Sequence, residues 1–254
     1  MASLQPKIRY LRTPAVMLVL MGLVSALYAT AGQAGGSGFV AVMTFAAFPP
    51  AQIRVTAFAL NVIAASYSVW RFHRAQLLDW VLLRDVLTTS LPAAFLGGLV
   101  ALNGKMYFIL TASLLVLVSS LMLSGKPSRG DASVSRPQAW MAGAFTGLAS
   151  GLTGVGGGVF LSALLILFSG VSPKRTAALS PPFILINSAV SLSGAFLAGA
   201  RLPLATAWFA LAAILGSAVG TAVGLRWMSA AAIRRVLAAI LLVAATQMAY
   251  RALT

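Results

Sequence analysis

The chain has 254 residues, of which 60% are hydrophobic and only 8% charged, with a mean hydropathy of +0.95. An average soluble domain carries about 25% charged residues, so there is too little polar surface to solvate a globule, and a soluble enzyme and a soluble binding module are both excluded. The net charge of +15 does not make the chain a nucleic-acid binder, because its 18 lysines and arginines fall singly or in pairs between apolar runs, as topology signals and interface anchors do.

Cysteine is absent, which removes a disulfide framework, a thiol nucleophile and a Cys-ligated metal site. One histidine and three acidic residues are too few for a metal cage. No cofactor and no metal are expected.

Lys7, Arg9 and Arg12 precede an apolar run over 13–30. The run imitates a secretory signal with a cleavage site at Ala29-Thr30-Ala31. Cleavage would remove the first helix of a repeat whose second copy lies mid-chain, so the run reads as a retained membrane segment. Further runs follow at 39–48, 56–70, 82–102 and 106–123, then a polar stretch over 124–138 with two prolines, which reads as an exposed linker. The pattern restarts at 139–152, 159–170, 178–199, 203–225 and 232–250.

The two halves align. With Phe39 on Phe160, Gly35-Gly36-Ser37 falls opposite Gly156-Gly157-Gly158. With small shifts Pro50 and Arg54 meet Pro173 and Arg175, Asn61 meets Asn187, and Trp80 meets Trp208. The organisation read from this is an N-terminal transmembrane repeat (1–123), a linker (124–138) and a C-terminal repeat (139–254). A bilayer crossing needs about 20 apolar residues, whereas 39–48, 139–152 and 159–170 have 10, 14 and 12. These short pieces form either re-entrant hairpins or broken spans. Counting each pair as one span puts the N-terminus, 71–80 and the linker on one side, which the positive-inside rule makes cytoplasmic. Trp70, Trp80, Trp140, Trp227, Tyr10, Tyr107 and Tyr250 stand near run ends, as an interfacial aromatic belt does.

Gly151-Leu152-Thr153-Gly154-Val155-Gly156-Gly157-Gly158 interrupts the second copy. Each glycine costs a helix about 1 kcal/mol relative to alanine, so the helix stops there, at membrane depth. A helix restarting near Gly157 has N–H groups without intrahelical partners and a positive dipole end, and the missing Cβ atoms let a ligand approach. That is an anion site, to which Thr153, Ser150 and Ser37 would add hydroxyls. Close helix packing is the other reading, and it suits the GxxxG at Gly143–Gly147.

Arg54 and Arg175 follow the short helix of each copy and would concentrate anions at the mouth of a path; Lys174 reads equally as a snorkelling interface residue. Asn61 and Asn187 need partners in lipid and face a helix or a cavity. Ser180-Pro181-Pro182 is expected to break the start of the next helix. Arg84 and Asp85 read as interfacial and His73 as a loop residue; Asp85 is the only plausible carboxylate proton carrier, with Asp79 nearer the loop, and no coupling ion is assigned.

Gly147-Leu-Ala-Ser-Gly-Leu-Thr-Gly-Val-Gly-Gly-Gly158, the short helix after it, and Ser172-Pro-Lys-Arg-Thr-Ala-Ala178 leading to Asn187 resemble the TauE/SafE, sulfite exporter-like, family. The weaker copy Ala31-Gly-Gln-Ala-Gly-Gly-Ser-Gly38, in which Gln33 and Ser37 replace glycines of the second copy, extends the likeness over nearly the whole chain. The resemblance implies an inner-membrane permease for sulfite, organosulfonates or related oxyanions. The reading is therefore an all-α, multi-pass membrane protein of two repeats of about four spans, each with a Gly-rich broken or re-entrant element. It would carry a small anion by alternating access, with or without a coupling proton or ion, in the lipid bilayer and with oligomeric state open. Thr153, Gly156, Gly157 and Gly158, with Gly35, Gly36 and Ser37, would supply donors; Asn61 and Asn187 would line the path and Arg54 and Arg175 flank it. A passive anion channel, a membrane-embedded enzyme and a structural subunit are the alternatives.

Overall fold

In lipid every backbone polar group has to be satisfied by the chain itself, and helices do so segment by segment. The computed structural model describes residues 14–102, 104–124, 133–227 and 230–253, and it is helical, with no strand among them. Lys7, Arg9, Tyr10, Arg12 and linker residues 125–132 lie outside the described residues. Ten helices are described: α1 (Pro14–Thr30), α2 (Gly36–Phe45), α3 (Pro50–Arg74), α4 (Trp80–Leu99), α5 (Gly104–Ser124), α6 (Arg136–Thr153), α7 (Gly158–Phe168), α8 (Pro173–Leu197), α9 (Thr206–Trp227) and α10 (Ala230–Leu253). Four stretches, Pro50–Arg74, Gly104–Leu121, Pro173–Leu197 and Thr206–Gly224, are long and apolar enough to cross a bilayer. The apolar helices α1, α2 and α7 are shorter, with 17, 10 and 11 residues.

Caps set where the helices begin, and several begin before their apolar runs. Pro50 and Pro173 open α3 and α8 at positions where a missing N–H costs nothing. The Asp79 carboxylate accepts the Leu82 N–H at 3.0 Å to start α4, and Gln138 Oε1 accepts the Ser135 N–H at 3.1 Å to start α6. Helix α6 thus begins inside the expected linker, and α3 carries Arg54 in its second turn. His73, expected in a loop, lies in the last turn of α3.

Ser180-Pro181-Pro182 does not break its helix: α8 runs through both prolines, with Ser180 Oγ donating to the Thr176 carbonyl at 2.8 Å. Membrane helices tolerate proline where neighbours buttress it, and α3 and α4 both pack on α8.

Packing is reciprocal between the halves: α4 lies along α6 and α9 along α1, α4 packs on α8 and α9 on α3, and α5 pairs with α10. Two of these contacts bring backbones together. Gly143, Gly147 and Gly151 of α6 face the carbonyls of Val86, Ser90 and Ala94 on α4, and Gly216, Gly220 and Gly224 of α9 face those of Gly22, Ala26 and Thr30 on α1. A Cβ at any of the six would overlap the opposing oxygen, the close approach that small residues allow in membranes. Hydroxyls join α3 to α9, with Ser68 Oγ 3.1 Å from Ser217 Oγ and Ser217 Oγ donating to the Ala64 carbonyl at 2.8 Å. Val81, Met141, Phe168, Leu197, Trp80 and Trp208 are exposed, an apolar outer surface suited to lipid. Tyr107 departs from the aromatic belt: it is buried, and its hydroxyl donates to the Thr153 carbonyl at 2.8 Å.

Candidate functional site

Both glycine breaks restart a helix from a left-handed residue. Gly35 (φ 116°) precedes α2 and Gly157 (φ 78°) precedes α7, and neither glycine supplies a side-chain cap, although the Tyr28 hydroxyl accepts the Gly38 N–H in the first turn of α2. Glycine reaches this region without the Cβ penalty that other residues incur, and each helix start leaves N–H groups that the helix cannot pair. Gly154 (φ 84°) closes α6, and Gly156 (φ 86°) completes the turn.

The two breaks press on each other. Gly36 lies against the Val155 carbonyl and Gly32 against that of Ala177, whose amide partner along α8 is lost at Pro181. Asn61, from the middle of α3, bridges them: its Nδ2 donates to the Gly154 carbonyl at 3.2 Å.

Each glycine of the triplet faces one polar side chain. A Cβ on Gly156 would stand 2.7 Å from Asn61 Nδ2, one on Gly157 would stand 3.1 Å from Ser150 Cβ, and one on Gly158 would stand 2.5 Å from Gln33 Oε1. Asn61 and Ser150 are 0% exposed and Gln33 is 1% exposed. Asn61 Oδ1, Ser150 Oγ and Gln33 Oε1 have no hydrogen-bond partner.

The other residues named from the sequence are placed differently. Thr153 Oγ1 donates to the Ala149 carbonyl at 2.6 Å and accepts the Val155 N–H at 3.3 Å, so it staples the break. Ser37 is bonded to the Tyr28 hydroxyl. Asn187 has both polar atoms engaged, accepting from Ser90 Oγ of α4 and donating to the Phe183 carbonyl one turn back in α8 at 3.0 Å. Asn61 and Asn187, matched in sequence, therefore sit in unequal surroundings. Arg54 is 8% exposed, lies against Gly154, and donates to the Gly98 and Val100 carbonyls at the end of α4. With Tyr107 it lines a cavity of about 230 Å³ that also touches Pro50, Leu102 and Ala198.

Arg175 is tied to Asp79 by an ion pair, its Nε donating to Oδ2 at 2.9 Å. Burial works against the charged Asp79, but the Leu82 N–H and Arg175 outweigh it and hold the carboxyl below its ordinary value. Asp79→Asn keeps the helix cap, since Asn and Asp cap equally well, and removes the ion pair. The expected cost at pH 7 is up to about 1 kcal/mol. A depressed pKa contributes stability above the unfolded-state value and loses it as pH falls through the folded-state value. Wild type and variant should therefore converge on acidification, as read by thermal unfolding in detergent.

Two further residues at the breaks, Gln33 and Tyr107, lie outside the set that the sequence points to. The signal for Gln33 was a polar side chain standing where the other copy has glycine; Tyr107 resembled an interfacial ring.

The sulfite exporter TauE/SafE family model matches residues 17–248. Among curated proteins the chain is similar to the probable membrane transporter protein y4hK of Sinorhizobium fredii (strain NBRC 101917 / NGR234), with 33% identity over 239 residues, covering 91% of this chain and 96% of that protein. No solved structure matches the chain. The helices of the described residues, an apolar outer surface and a match over almost the whole length lead to one conclusion: the chain is a multi-pass membrane transporter and belongs to the sulfite exporter TauE/SafE family.

Proposed function

We propose that this transporter carries a small oxyanion, such as sulfite, an organosulfonate or a related species, and holds it where α2 and α7 begin. One observation carries the reading: two helices begin at glycines that offer no capping side chain, and Ser150, whose buried hydroxyl has no partner, lies against Gly157 through its Cβ. A helix N-terminus carries about half a positive charge and is a ready-made anion site. Broken helices aim such ends at anionic substrates in other transporters. Arg54, beside Gly154 and at the wall of the 230 Å³ cavity, would raise the local anion concentration.

The reciprocal packing supports two repeats, 1–123 and 139–254, in which the first helix of each lies on the fourth of the other. Rocking one repeat against the other would then open the site to each side in turn. In this reading the protein is a carrier and not an enzyme, lies in the cell inner membrane, and has its N-terminus and linker on the cytoplasmic side.

The test is thermal unfolding of the purified protein with sulfite, sulfate, thiosulfate, taurine, sulfoacetate and acetate. A ligand at a hundred times its Kd stabilises by about 2.7 kcal/mol. At least one sulfur oxyanion should raise the unfolding temperature, and Ser150→Ala should weaken its binding about tenfold, the worth of one hydrogen bond. Gly157→Leu is the cruder probe, since it meets Phe183 at 2.9 Å and takes up a left-handed φ, so it disturbs folding as well. No shift with any of these anions would overturn the reading. Flux that rises without saturation would point instead to a channel.

A further inference from the structure

The unpartnered groups at the glycine triplet include two that a bare anion cannot satisfy. A network that ends on backbone carbonyls sets their orientation. Ser180 Oγ lies 2.8 Å from the Thr176 carbonyl and 3.5 Å from that of Gly158, and both only accept, so its proton goes to a carbonyl. At 2.9 Å Ser162 must then donate to Ser180. Ser162 has only a lone pair left for Gln33 at 3.1 Å, so Gln33 presents its NH₂ there and turns Oε1 toward Gly158. Asn61 Nδ2 is likewise fixed by the Gly154 carbonyl, which leaves Oδ1. The site therefore holds two buried, unpaired carbonyl oxygens, each costing about 1–3 kcal/mol when nothing donates to it.

A metal cation would satisfy these oxygens but would sit at the positive ends of α2 and α7. A fully deprotonated oxyanion would set its own oxygens against them. What fits the helix ends and pairs at least one of the two acceptors is negative charge and an O–H or N–H donor on one small molecule.

We propose that the substrate is an anion carrying its own hydrogen-bond donor, a singly protonated oxyanion, and that its proton crosses the membrane with it; this rests on the anion reading above. The site itself has no group to hold that proton. Among the described residues, the ionisable side chains that the contacts place against the breaks are Arg54 of α3, Tyr28 of α1, bonded to Ser37, and Tyr107 of α5, bonded to the Thr153 carbonyl. Phenols and guanidinium groups ionise at about pH 10 and above. The pH dependence of binding near neutrality is then that of the substrate.

Methylphosphonate and methanesulfonate test this. They match in size, and at mildly acidic pH both carry one negative charge, but methylphosphonate retains an O–H. Binding is read by thermal shift and transport by uptake into proteoliposomes. Wild type should bind the methylphosphonate monoanion at least about tenfold more tightly, because a site built to bond a hydroxyl rejects the analogue without it. The preference should vanish as pH rises and the proton leaves, while methanesulfonate binding stays flat. Gln33→Met keeps the side-chain length, removes the oxygen and should bring the ratio to within about twofold; Ser150→Ala should weaken both ligands alike. Asn61→Leu removes the other oxygen, and a preference that survives both variants would overturn the proposal.

Equal binding at low pH, or a preference that survives deprotonation, would overturn the proposal. So would stabilisation by sodium over choline chloride that Gln33→Met abolishes, since the oxygens would then belong to a cation. If neither probe binds, sulfite decides: affinity that rises with pH overturns the proposal, and affinity that falls with pH supports it. Anions that bind without the donor preference sink this inference alone; no binding by any anion sinks the oxyanion reading with it.

Discussion

Gly220→Ala is expected to leave little folded protein, whereas Gly22→Ala, on the facing helix of the same pair, is expected to be neutral or stabilising. A Cβ on Gly220 would overlap the Ala26 carbonyl oxygen, while one on Gly22 would rest 3.4 Å from the Ala212 oxygen, an ordinary contact. Overpacking costs about 1–3 kcal/mol where side chains can shift. Here the obstacle is backbone, so the upper end of that range or more applies. At Gly22 the helix gains about 1 kcal/mol from replacing glycine by alanine, with little steric cost. Size-exclusion profiles and unfolding temperatures in detergent separate the two variants, and equal effects would refute the backbone contact between α1 and α9. Gly147→Ala, which meets the Ser90 carbonyl, tests the other pair in the same way.

Arg54→Met should lower stability by about 3 kcal/mol and abolish transport. The substitution nearly preserves the apolar stem but removes the guanidinium that donates to the Gly98 and Val100 carbonyls. Hydrogen bonds to a charged group are worth about 1.5–3 kcal/mol, and two carbonyls at the end of α4 would lose their donor together. Arg54→Lys distinguishes the roles. A lysine keeps the charge but cannot present a planar fork to two oxygens, so stability should return in part. Flux restored by the lysine beyond its partial gain in stability would assign the charge to the anion path; flux that merely follows stability would confine Arg54 to holding α4. An unfolding temperature unmoved by Arg54→Met would refute the clasp.

The membrane class, the helical content and the two glycine breaks were legible because each follows from local chemistry. Apolar runs demand lipid, and the clustered glycines from Gly154 to Gly158 stop a helix where the evenly spaced ones of α6 and α9 do not. The glycines at 143 and 147 were also readable as a packing face, since their four-residue spacing puts them on one side of a helix. Helix starts were less legible. Proline and polar caps at Pro50, Ser135 and Pro173 carry the helices upstream of their apolar runs, and hydropathy is blind to them. The expected break at Ser180-Pro181-Pro182 failed for a different reason, because packing against α3 and α4 holds a proline-bearing helix together.

For the site, matching the two copies brought out Gly35, Gly36, Gly156, Gly157, Gly158 and Asn61, and these do lie at one place. The same matching overstated the symmetry. Arg54 and Arg175 align, yet one is buried on the end of α4 and the other is paired to Asp79 near the start of α4. Asn61 and Asn187 align, yet one keeps a free oxygen at the break and the other spends its oxygen on Ser90 of α4 and its amide N–H within α8. The sequence by itself determined that this chain lives in a bilayer and where the two glycine breaks fall, since these are properties of residue type and spacing. Only the tertiary structure decided which polar groups are left over: hydrogen-bond partners come from other helices, so whether Gln33, Ser150 or Asn61 has an unspent atom depends on what the fold places against it.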